Sequence, residues 1–135
     1  MKNINESLLK SLNSGFIDKS IISNSEYLPQ LLVNDKLSGK KILSTIDSEL
    51  NNCDEFWISV AFVTASGIAT LMNTLIELEN KGINGKILVS QYLNFSQPEA
   101  LKKLIRFKNI ELKIAIDGNF HSKGYLFKKG KLHDL

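Results

Sequence analysis

Cysteine, histidine and long apolar runs are scarce in this chain of 135 residues, and each scarcity removes a class of explanation. The single cysteine, Cys53, has no partner for an internal disulfide, so a disulfide-stapled scaffold is excluded and a reducing, cytoplasmic setting is expected. The two histidines, His121 and His133, do not make a zinc set with it, and no metal or other cofactor is expected. No apolar run exceeds the length of a strand, and residues 1–6 carry no apolar signal region, so neither a membrane span nor a leader is predicted. Charge of one sign is also in short supply. A net charge of +3 permits a polyanionic partner without arguing for one.

What is present is enough apolar sequence to build one domain of ordinary size. Residues 1–35 read as a preface, with a short helix from Glu6 to Leu12, a turn at Gly15, an extended piece at Phe16-Ile17 and a loop running through Asn24 to Pro29. Residues 36–135 read as the domain proper. There Ile42, Ile46 and Leu50 recur at helical spacing. The run from Phe56 to Val63 is nearly all apolar, as in a strand buried on both faces. A helix follows, capped by Thr64 or Ser66 and ended by Gly82. Next come a strand over residues 86–90, a polar loop, a helix opened by Pro98, a strand over 110–116, an Asp117-Gly118 turn signal and a strand over 120–127. This alternation predicts an α/β domain with a mixed, largely parallel sheet flanked by helices, closing in an antiparallel hairpin.

Ligands of open α/β sheets gather at the carboxyl ends of the strands. Ser66, Ser90 and Asn94 fall there and are candidate phosphate-binding side chains. The helix start near Ser66 offers backbone N–H groups to an anion, and serves equally as an ordinary cap. Tyr92 and Phe95 could stack on nucleic-acid bases or merely cover the sheet edge. The most chemical segment is Phe120-His121-Ser122-Lys123-Gly124. On a strand, His121 and Lys123 would project to one side with Cα atoms roughly 6.5–7 Å apart, close enough to share a phosphate. An imidazole there can attack phosphorus or carry a proton, while the ammonium stabilises charge developing on the oxygens. Lys123, Lys128, Lys129 and Lys131 also fit a solvated hairpin tip that discourages edge pairing.

The segment from Phe120 to Phe127 resembles the His-x-Lys half-motif of the phospholipase D superfamily. With Gly15 to Asp18, Cys53 to Gly67 and Tyr92 to Leu101, nearly the whole chain resembles the phospholipase D-like nuclease domain at the N-terminus of bacterial helicase-type proteins related to restriction enzymes. The resemblance implies a metal-independent phosphodiesterase acting on DNA, with His121 as nucleophile or general acid and Lys123 holding the phosphate oxygens. It also implies a second histidine. His133 has no lysine two positions on, so a homodimer pairing two copies of His121 and Lys123 about a twofold axis would supply it. Two departures stand out. The position five residues after Lys123, where the superfamily pattern has Asp, is Lys128, and the Gly-Ser-x-Asn-like turn expected further on is not reached. Asp134 is no substitute for the missing Asp. The chain is therefore expected to be a fragment, cut short at the C-terminal edge of its sheet, of a longer helicase-type protein. The alternative is a noncatalytic DNA-binding or dimerisation module of such a protein.

Overall fold

The computed structural model describes Glu6 and residues 31–130. Of the preface expected over residues 1–35, residues 1–5 and 7–30 lie outside the described residues, as do residues 131–135 with His133 and Asp134. The chain divides into two units, Met1–Ile42 and Leu43–Leu135. In the first, Asp35 and Lys40 form an isolated antiparallel bridge around a turn in which Gly39 has a φ of 69°. Asp35 accepts from the Leu37 N–H at 2.9 Å and the Ser38 hydroxyl, and the Ser38 bond holds its carboxyl below the usual range.

The second unit is built on a four-stranded sheet. Helix α1 (Ile42–Asn51) leads into β1 (Glu55–Val60). Two short helices follow, α2 (Ala65–Ala69) and α3 (Met72–Asn80), then β2 (Asn84–Val89), α4 (Pro98–Leu104), β3 (Ile110–Ile114) and β4 (Gly124–Lys128). The single helix expected after Val63 is thus broken at Thr70-Leu71, where the Thr70 hydroxyl donates back to the Gly67 carbonyl at 2.7 Å. Gly82, at a φ of 68°, ends the second piece as expected.

Strand order is β3-β2-β1-β4, with β1, β2 and β3 parallel and β4 antiparallel to β1. The fold is therefore α/β with an open mixed sheet. The closing hairpin is corrected by this order, because β3 and β4 occupy opposite edges. Asp117-Gly118 begins a crossing of the sheet and does not join neighbouring strands.

The expectation that β1 is buried on both faces is corrected as well. Its exposure alternates, with Phe56, Ile58 and Val60 buried and Trp57 and Ser59 half-buried. The connections from β1 to β2 and from β2 to β3 step in one direction, and right-handed crossovers then deliver their helices to one face. On that face Leu50, Ile68, Leu75, Leu78, Ala100 and Leu104 join Phe56, Ile58, Val60, Ile87 and Val89 in the core. Gly85, in register with Phe56, leaves room for its ring, and a Cβ there would overlap it. The opposite face presents Trp57, Leu88 and Leu126 among charged pairs such as Lys113–Glu111 at 2.9 Å. That lysine holds the Glu111 carboxyl below its usual range.

Candidate functional site

Three segments leave the sheet at its carboxyl edge: residues 61–64 after β1, 90–97 after β2 and 115–123 before β4. They are tied to one another by specific bonds. The Ser90 N–H donates to the Val60 carbonyl at 3.0 Å, and the Gln97 N–H to the Val63 carbonyl at 2.9 Å. The crossing segment is pinned from below, where the Phe120 N–H donates to the Ser90 hydroxyl at 3.1 Å.

This anchor explains why His121 and Lys123 do not lie on a strand, as the alternating pattern had suggested. Pairing with β1 begins at Gly124 opposite Ser59, and four residues upstream the Phe120 N–H is already bonded to Ser90. The pair is nevertheless brought together. In the loop, Lys123 Nζ lies 3.4 Å from the His121 carbonyl oxygen, and both residues are exposed. Strand alternation is replaced by a fold-back of the lysine.

Aromatic rings surround the pair. Tyr92 lies against the His121 imidazole, with ring centroids 4.6 Å apart and planes tilted by 46°. Lys123 Nζ sits 5.6 Å from the centre of the Phe62 ring, within cation–π range. Phe62 meets Phe95 edge to face at 5.6 Å, and Phe95 meets Tyr92 at 6.4 Å. The five side chains form a row of contacts from Lys123 through Phe62, Phe95 and Tyr92 to His121, and Lys123 Nζ returns to the backbone carbonyl of His121. Tyr92 and Phe95 were visible in the sequence as candidate stacking residues. Phe62 was not singled out, because it continues the apolar run of β1, and only its place beyond the last core residue of that strand marks it.

The three candidate phosphate-binding residues fare differently. Ser90 is fully buried, so it cannot touch a phosphate, and its hydroxyl holds the crossing segment instead. That correction gives it a positioning role. Ser66 is exposed but lies in a five-residue helix in which the N–H groups on either side of it have partners, Ala65 bonding to Gln97 Oε1 at 2.7 Å and Gly67 to Thr64 Oγ1 at 3.1 Å. Its hydroxyl is 3.3 Å from that of Thr64, and of the two cap candidates Thr64 is the one that caps the helix. Asn94 is exposed beside the carboxyl end of β2 and borders a small cleft with Gln91, Ser96 and Ile114.

The position five residues after the lysine has its own explanation. Lys128 pairs in register with Glu55 at the amino end of β1, its Nζ 3.9 Å from Glu55 Oε2. Four residues of strand, roughly 13 Å, separate it from Gly124 and the carboxyl edge. A lysine there leaves the surroundings of His121 unchanged. Among the described residues, no three His, Cys, Asp or Glu side chains gather as a metal site would require, and no helix is long and apolar enough to cross a membrane. No protein-family model matches the chain, and no curated protein matches it.

Proposed function

We propose that the carboxyl edge is a phosphodiesterase site of the phospholipase D-like type, acting on DNA, in a domain of that fold carried by a longer helicase-type protein. The observation that carries this reading is that His121 and Lys123, both exposed, share one short loop anchored to the sheet, with the Lys123 ammonium folded back to 3.4 Å from the His121 carbonyl oxygen. A neutral imidazole nitrogen of His121 attacks phosphorus, and the bond from phosphorus to the leaving sugar oxygen breaks. The leaving oxygen takes its proton from a second imidazole, which we assign to His121 of a second copy related by a twofold axis. Water then attacks the phosphohistidine, gives its proton to that second imidazole, and releases a phosphomonoester with His121 restored. Lys123 offsets charge on the non-bridging oxygens as each pentacoordinate state forms.

None of these steps calls on a divalent ion. Cleavage of a chromogenic phosphodiester or of DNA by the full-length gene product, assayed without ATP, is expected to persist in chelator and to disappear in His121→Ala. Strict metal dependence, or undiminished cleavage by a folded His121→Ala protein, would overturn the assignment. A noncatalytic DNA-binding or dimerisation role becomes the better reading if the chain binds DNA, or pairs, without cleaving it.

A further inference from the structure

The aromatic side chains around His121 and Lys123 have no part in phosphorus chemistry, and the exposure of Phe95, with Phe62 and Tyr92 half-buried beside it, calls for another use. The core has its own buried aromatics, Phe56 and Phe107. By contrast Phe95 is 52% exposed and the adjacent Leu93 61%. The backbone that holds them out is unusual. Leu93 and Asn94 have φ of 48° and 55°, consecutive left-handed conformations that asparagine tolerates and leucine does not favour. Such strain persists where the surrounding structure fixes it and recurs at ligand sites. Here it tightens residues 92–94 into one turn, bringing Tyr92 and Phe95 to 6.4 Å at the mouth of the His121 loop.

Ring orientation is equally telling. Phe62 and Phe95 are nearly perpendicular at 88°, and Tyr92 and Phe95 stand at 75°. Edge-to-face pairs do not use up both faces of each ring, so flat surface remains at this rim for a further π-system. A phosphate seated at Lys123 and His121 would carry its flanking nucleosides onto these rings. Bases inside a duplex are covered above and below by their neighbours and present only edges. Bases of a single strand are free to stack.

We infer that this edge takes single-stranded nucleic acid, with one backbone phosphate at His121 and Lys123 and a neighbouring base on Phe95 and Tyr92. The inference rests on the phosphodiester reading above and adds to it the form of the substrate. The ammonium and imidazole at the two ends of the aromatic row favour a nucleic-acid strand over an apolar protein partner, since only the former brings anions at the spacing of its bases.

The test is fluorescence anisotropy on the 135-residue chain with three labelled probes: oligothymidine of about 12 nucleotides, the same strand paired with oligoadenosine, and an abasic strand of equal length. Single-stranded oligothymidine is expected to bind at least about tenfold more tightly than either competitor. Phe95→Ala should weaken it by about 5- to 150-fold and bring the three probes to one level, while Phe95→Tyr keeps the preference. Lys123→Ala should weaken all three probes together, because each carries phosphates. Equal binding of abasic and base-bearing strands, tighter binding of duplex, or indifference to a folded Phe95→Ala protein overturns the single-strand inference and leaves the phosphate site standing if Lys123→Ala still acts. Loss on Phe95→Ala with none on Lys123→Ala sinks the phosphate site and leaves stacking. Binding of no probe defeats both.

Discussion

The helix-covered face of the sheet and its carboxyl edge are built from similar residues put to opposite use. On the covered face Phe56 is fully buried, packs onto Gly85 and touches no solvent. At the edge Phe95 is half exposed, and His121 and Lys123 stand in solvent. Burial of a large apolar side chain contributes about 1.5–3 kcal/mol to folding, so the first arrangement holds the domain together. The second contributes little to stability and leaves ring faces, an imidazole and an ammonium free for a ligand. Stability and chemistry are thus separated along the strand direction, with Ser90 as the bolt between them.

The comparison breaks most visibly at His121. His121→Ala is expected to abolish phosphodiester cleavage, a loss of at least about 10⁴-fold, while urea denaturation shifts by less than about 0.5 kcal/mol because the side chain is exposed. Phe56→Ala should do the reverse. Removing that ring from a fully buried site is expected to cost about 3–5 kcal/mol in chemical denaturation. In the fraction still folded, ligand affinity at the carboxyl edge should be unchanged. A Phe56→Ala protein of ordinary stability, or a His121→Ala protein that unfolds, would dissolve the separation.

How far the sequence led can be judged on particular residues. Gly82, Pro98 and the alternation through β2 carried their information locally, and the helix end, the helix start and the strand were found within a few residues. The path from β3 to β4 was not local. Asp117-Gly118 has the chemistry of a hairpin turn, but the partner of β4 is β1, roughly 65 residues upstream, and pairing between such distant segments leaves no turn signature. The same non-locality hid the one-sided burial of Trp57, which depends on which way two crossovers step. At the site, His121, Lys123, Tyr92 and Phe95 were legible by residue type. The burial of Ser90 was not, since a serine after an apolar strand looks the same whether it faces solvent or the underside of a loop.

Ser90 therefore offers the sharper test. Ser90→Ala removes the acceptor of the part-buried Phe120 N–H, at a cost of up to about 1 kcal/mol. If the hydroxyl positions the loop, cleavage should also fall while Lys123-dependent phosphate binding is retained, and the turnover rate should suffer more than the Michaelis constant. Ser90→Thr, which keeps an acceptor, should recover part of the rate if its methyl group is accommodated. A stability loss with unaltered turnover would confine Ser90 to the core.

The smallest expected effect belongs to Cys53, at the opposite end of β1 from the site. It is 3% exposed, burial pushes its thiol above the ordinary value of 9.0, and its S–H donates to the Leu50 carbonyl at 3.2 Å. Neighbouring Asp54 and Glu49 push the same way, against Lys129. A raised value in the folded state means that the unfolded chain releases its proton first. The contribution to stability is complete below about pH 9 and is lost as pH rises toward the folded value, with a slope of at most about 1.4 kcal/mol per pH unit. Tyr125, whose phenol is also raised by burial, acts in the same direction from a higher starting point of 10.0. Urea midpoints of the native chain and of Cys53→Ala, followed from neutral pH to about pH 9.5, isolate the thiol, since every other group is common to both. Their difference should be constant at neutral pH and should move in favour of Cys53→Ala as the solution becomes alkaline. A difference that stays flat through that window would mean that the thiol ionises alike in the folded and unfolded chains, and that the amino end of β1 is wetter than its packing implies.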